Sequence, residues 1–181
     1  GLSQTQVESL AGTMNVVSDS MDVTAAQAME VVLKTGGVGR AAILSGEEVA
    51  ALGSTMIATG AASDVAATAS KNYILALAAG EKATKAQRAA FKTLGMDAED
   101  VAKRFTGSAK ERLAVQQELL SKTKELSKTS HADAVGALSG LFGKESVGAI
   151  SGVINNVDLF TGAVEKAGDS VRAASSVQNE Y

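Results

Sequence analysis

Gly143-Lys144, inside GLFGKESVGAISGVI at residues 140–154, has the glycine-then-lysine order with which phosphate-binding loops close. Such a loop needs a glycine about five residues ahead of Gly143 and a Ser or Thr after the lysine to hold magnesium. Leu138 and Glu145 stand at those places, so nucleotide binding fails on both counts. Gly37-Val38-Gly39-Arg40-Ala41-Ala42 copies the GxGxxA spacing of a dinucleotide-binding turn, but that turn must follow a β-strand. The preceding EVVLK reads as the end of a helix, and the glycines as its stop.

His131 is the single histidine and cysteine is absent, so neither a multi-histidine nor a thiolate metal site can be assembled. Ser130-His131-Ala132-Asp133 reads as a helix entry rather than as a general base with its orienting partner. Glu47-Glu48 and Glu99-Asp100 are paired carboxylates of the kind that acid–base catalysis uses. Both pairs fall in the first turn of an expected helix, where the macrodipole favours negative charge. Accordingly no catalytic, cofactor-binding or metal-binding residue is assigned, and no cofactor is expected. Gly136/Gly140 and Gly148/Gly152 have the spacing that lets helices touch. Lys144 and Glu145 interrupt any membrane span there, so tight packing against a neighbouring helix or a second copy is the expected use.

The elements that carry these residues are helices. Ser3 with Gln6, and Ser45 with Glu48, are capping-box pairs. Val7, Leu10, Met14 and Val17 recur at helical spacing, as do Val49, Leu52 and Met56. A second helix is expected from Thr24, stopping at Gly36-Gly37, and a fourth from Ser63 through Val65, Ala69, Tyr73 and Leu77 to Gly80. Shifting the chain by 42 positions places Ser3 on Ser45, Val7 on Val49, Leu10 on Leu52, Met14 on Met56 and Asp22 on Asp64. This points to a duplicated helix–turn–helix unit, with Asp22, Asp64 and Asp97 as parallel helix caps. Later helices are expected at residues 84–94 (burying Ala86, Ala90, Phe91 and Leu94), 98–105, 108–126, 130–142, 145–153 and 159–175. Period-2 alternation persists nowhere. The expected fold is all-α, a multi-helix bundle built from helical hairpins, divided into residues 1–80, 81–175 and a frayed tail at 176–181, with one globule also possible.

Composition narrows the function classes. The chain has 181 residues, 17 basic and 20 acidic side chains and a net charge of −3, which gives no cationic face for nucleic acid. Proline and tryptophan are absent and aromatics are 3%, so Ala, Leu, Val, Ile and Met must do the packing. The most apolar run, YILALAA at residues 73–79, falls far short of the roughly 20 residues that cross a bilayer. The Gly-Leu-Ser start without Met reads as the beginning of a piece of a longer protein. No membrane partner is expected for this piece.

The order of phrases carries a resemblance. An Ala-rich helix after Asp64 (DVAATASKNYILALAAG) is followed by FKTLGMDAEDVA at residues 91–102 and by RLAVQQELLSKTKEL. Leu141-Phe142-Gly143-Lys144-Glu145-Ser146 and ISGVINNVDLFTGAV complete the series. This succession resembles the conserved core region of tape measure proteins from long-tailed phages and prophages. The LS-x-x-x-V-x-x-L start of the first half fits as well. The resemblance implies a structural, non-enzymatic helical module of a chain that occupies the tail-tube lumen and sets tail length. It implies tail-tube, tail-tip or baseplate proteins and tail assembly chaperones as partners, with the host cytoplasm as the place of assembly. Self-association through the Gly-rich faces is a further expectation, and so is modest stability from Ala/Gly packing. Two other classes stand beside this reading. One is a membrane-active helical effector inserting residues 136–154. The other is a peptidoglycan-cleaving module, for which Glu81, Glu99 and Glu145 are the carboxylates to test.

Overall fold

A computed structural model describes residues 3–42 and 44–179. Among these residues there are ten α-helices and no strand. They are α1 (Gln4–Ser20), α2 (Ala25–Ala41), α3 (Gly46–Ala58), α4 (Ser63–Ala78) and α5 (Lys85–Thr93). Then follow α6 (Ala98–Phe105), α7 (Ala109–Thr129), α8 (His131–Phe142), α9 (Val147–Ile154) and α10 (Val157–Asn179). Short 3₁₀ turns at Gly80–Lys82 and Lys144–Ser146 precede α5 and α9.

Local chemistry sets most helix starts. The Ser3/Gln6, Thr24/Gln27, Ser45/Glu48, Thr84/Gln87 and Ser108/Glu111 pairs each form a reciprocal capping box. Each satisfies two backbone donors that a helix N-terminus otherwise leaves orphaned. Hydrogen bonds from the Ser108 backbone and hydroxyl hold the Glu111 carboxyl below its ordinary pKa. Asp97 and Ser130 cap α6 and α8 by accepting from the N–H groups of Asp100 and Asp133. The other two aspartates expected as caps do not act so. Thr24 caps α2 in place of Asp22, and Asp64 lies inside the first turn of α4 behind an Ala62 N-cap that offers no side chain. The 42-residue shift therefore matches the starts of α1 and α3 but not those of α2 and α4, because α1 is four residues longer than α3 (17 against 13).

The stop expected at Gly36-Gly37 is also corrected, since α2 runs through both glycines to Ala41. Glycine weakens a helix interior by about 1 kcal/mol, yet packing overrides this. α2 lies along both α3 and α4, and the bare Cα of Gly39 admits Val49, whose Cγ2 sits 3.1 Å from where a Cβ would be.

One apolar cluster runs from Leu10 on α1 to Ala163 on α10. α4 is its axis, touching α2, α3, α6, α8 and α9, while α10 closes over α1, α3 and α7. Ala66, Ala69, Ile74 and Leu77 of α4 are fully buried, and its exposed stripe is narrow. Val65 lies on that stripe at 39% exposure, against expectation, and Val7 and Ala86 are exposed as well. α10 continues as helix through Asn179, and residues 180–181 of the expected tail lie outside the described residues.

Candidate functional site

The ionisable residues singled out in the sequence do not converge. His131 is the exposed first residue of α8. Glu99, on α6, pairs with Arg88 at 3.3 Å, and Arg88 Nη2 also donates to the Glu81 carbonyl at 2.8 Å. Arg88 thus draws the Glu81 backbone and the Glu99 carboxylate toward one place on α5. Glu145 belongs elsewhere. Its Oε1 accepts from Asn72 Nδ2 of α4 at 3.2 Å, and the same amide donates to the buried Ser146 hydroxyl at 3.0 Å. Asp100 lies 3.6 Å from Arg104, whose stronger partner is Glu118 at 2.7 Å. That hydrogen bond raises the Arg104 pKa. Among the described residues no group of three or more His, Asp or Glu side chains could hold a metal ion.

The two phosphate-loop look-alikes are helix furniture. Gly143 adopts φ +86°, a conformation open to glycine, and its N–H closes α8 on the Ser139 carbonyl at 2.9 Å. The GxGxxA phrase lies mostly within α2.

Polar side chains instead build an internal brace. Arg112 of α7 is 6% exposed. Its Nε donates to Glu48 Oε1 at 3.0 Å and Oε2 at 3.2 Å, and its Nη1 donates to the carbonyls of Phe105 and Gly107, both at 3.1 Å. Glu48 is at the same time the capping-box acceptor for the Ser45 N–H. The Arg112 carbonyl accepts from Gln116 Nε2 at 3.0 Å, and Gln116 Oε1 accepts from the Tyr73 hydroxyl at 3.1 Å. The Tyr73 ring stacks on Phe142 with centroids 5.3 Å apart. This series links α3, α7, α4 and α8 through the core. Burial pushes the Tyr73 phenol well above its ordinary pKa. An isolated buried charge would be costly, and it is tolerated here because each partner is hydrogen-bonded. The sequence offered no signal for the Arg112–Glu48 pair, whose members are 64 positions apart.

Glycines set the close crossings. A Cβ on Gly53 of α3 would collide with Val31 of α2, and one on Gly152 of α9 would collide with Thr59. A Cβ on Gly140 of α8 would lie 3.3 Å from the Ala86 carbonyl and from Ala90 Cβ on α5. Each GxxxG pair therefore uses one glycine in packing. Its other member, Gly136 or Gly148, has nothing within 4 Å. Gly53, overlooked in the sequence, was marked by its place among the apolar residues of α3.

Not every buried polar group is satisfied. Among the described residues Ser9 and Thr13 of α1, Thr35 of α2 and Ser54 of α3 bury hydroxyls without a partner, at a cost of about 1–3 kcal/mol each. No single described helix is long and apolar enough to cross a membrane. α9 and α10 together meet that test by length and composition, but they bend by 83° and turn Ile150, Val153, Phe160 and Ala163 into the core.

Comparison with known proteins gives this helical assembly its relatives. The chain is 33% identical over 176 residues to a protein of Halomonas phage phiHAP-1 described as a "Probable tape measure protein". The match covers 97% of this chain and 20% of that relative, so the chain spans about one-fifth of the relative's length. No solved structure matches. The family described as phage-related minor tail protein matches residues 1–143, most of the chain and every helix from α1 to α8. By that match the all-helical chain belongs to the phage-related minor tail protein family.

Proposed function

We propose that the chain is a structural, non-enzymatic module of a tape measure protein, one that helps set tail length and assemble the tail tube. Family membership supports a structural role in the phage tail. The observation that carries the finer reading is similarity along 97% of the chain to a tape measure protein. The packing is compatible with that role. Charged side chains form caps, local pairs and one internal brace, and of the carboxylates considered for sugar cleavage Glu99 pairs with Arg88 while Glu145 accepts from Asn72 on another helix. In this reading the module is a folded segment of a longer chain in the tube lumen, made in the host cytoplasm with tail assembly chaperones. It contacts tail-tube and tail-tip or baseplate proteins. The open glycines, Gly136 on α8 and Gly148 on α9, offer faces on which another helix or a second copy could lie.

The direct test deletes the codons for these residues, in frame, from the phage gene that carries them, and measures tails by electron microscopy. Absent tails or tails of altered length are expected. Tails of unchanged length on fully infectious particles would refute the role. Purified chain should leave peptidoglycan intact and stay in the lipid-free fraction on flotation with liposomes. Clearing, or lipid association, would favour a lytic or a membrane-active module instead.

A further inference from the structure

We propose that α1 and α2 form a separable cover, opening as a unit while α3–α10 stay folded. Three independent features coincide on this hairpin. First, three of the four unpartnered buried hydroxyls, Ser9, Thr13 and Thr35, belong to it, and the fourth, Ser54, belongs to α3, against which both helices pack. Opening returns those hydroxyls to water and removes their penalty, so they favour the open form. Second, leaving aside Thr5 and the side chains of residues 170–179, the side-chain hydrogen bonds of α1 and α2 stay within five positions. Examples are Gln4 to Glu8, Ser18 to the Val23 carbonyl, and Lys34 to Glu30. Elsewhere the elements are cross-tied by Asn72–Ser146, Tyr73–Gln116, Arg104–Glu118, Arg112–Glu48 and Gln117–Thr161. Third, no aromatic residue precedes Tyr73, so the hairpin itself contributes no large ring to the core. α2 also carries Gly36, Gly37 and Gly39 in its helical interior, which lowers the cost of unwinding it.

Proteins open locally in cooperative units that often coincide with supersecondary motifs, and the α1–α2 hairpin is such a motif. The open form bares Val49 of α3, which packs where Gly39 lacks a side chain, together with the faces of α3, α4 and α10 that α1 and α2 cover. The proposal concerns this chain alone and stands whether or not the module acts in tail-length control.

Native-state hydrogen exchange on the 181-residue chain, read by peptide mass spectrometry, tests it. Amides of α1 and α2 should exchange together, at least about 100-fold faster than those of α4 and α7. Thr13→Val with Thr35→Val keeps side-chain shape while deleting two orphan hydroxyls. It should slow exchange in α1 and α2 by about tenfold or more and leave α4 and α7 unchanged. Ser9→Ala, which only removes an atom, should move α1 and α2 in the same direction. Equal protection across all helices, or none anywhere, overturns the proposal. So do valine and alanine variants that speed exchange in α1 and α2, because the hydroxyls would then be holding the cover down.

Discussion

The α1–α2 hairpin and the α4–α7–α8 centre bury helix faces of similar apolar character but hold them by different means. At the centre, large rings and long polar side chains reach across elements. Tyr73 stacks on Phe142 and bonds Gln116, and Arg112 clasps Glu48 and two carbonyls. In the hairpin, small and β-branched side chains nest around glycines, with hydroxyls such as Thr13 and Thr35 left over. Nesting gives contact without geometric locking, since apolar burial is non-directional. Hydrogen bonds add direction, and losing one partner strands the other. The difference teaches that one continuous core need not be one uniformly stable body.

Four substitutions press on this contrast. The largest effect is expected at the brace. Arg112→Ala strands the part-buried Glu48 carboxylate and two carbonyls, and should lower stability by about 3–5 kcal/mol in urea unfolding. A loss below about 1 kcal/mol would mean the centre is no more locked than the hairpin. Next, Gly53→Ala drives a Cβ into the buried Val31 side chain and should cost about 1–3 kcal/mol, by the same assay. The hairpin's hold on α3 depends on that crossing.

Tyr73→Phe keeps the stack but leaves Gln116 Oε1 buried and unpaired, for a loss of about 1–2 kcal/mol near neutral pH. It should also change the alkaline profile. The folded phenol pKa is raised above its ordinary 10.0, so this group's contribution is complete below pH 10 and is lost as pH rises toward the folded value. The loss approaches about 1.4 kcal/mol per pH unit. Parallel pH melts of the parent and the variant should converge above pH 10, and parallel curves would count against a buried, protonated phenol. The smallest effect has the opposite sign. Gly36→Ala places a Cβ where nothing lies within 4 Å inside α2, and should add about 0.5–1 kcal/mol. That gain should register as slower exchange in the hairpin.

Much of the architecture was legible because it is local. Ser3 with Gln6, and Ser45 with Glu48, announce helix starts through groups three residues apart, and the structure makes both boxes. Asp97 was readable as a cap for the same reason. Asp64 misled because an aspartate ahead of an apolar run fits an N-cap and a first turn equally well, and only the chain's path from α3 chooses Ala62 as the cap. Gly36 misled because a glycine signals a stop only when nothing outside the helix holds it straight. The candidate site was less legible. Pairing of Gly140 with Ala90, or of Gly152 with Thr59, needs a partner helix that the spacing rule does not name.

What the sequence determined alone is the set of helices, their capping boxes and the greater part of their apolar faces. Those follow from interactions that reach at most a turn or so along the chain, and the periodic residues carry them wherever the helix is placed. The ordered phrases also carried the family resemblance. What the tertiary structure decided is which faces meet. Joining Arg112 to Glu48 across 64 positions, or choosing Gly53 rather than Gly36 as the contact, depends on where other helices lie. So does the fate of Thr13 and Thr35, whose hydroxyls look ordinary in sequence and become orphans only when packing removes water from both sides.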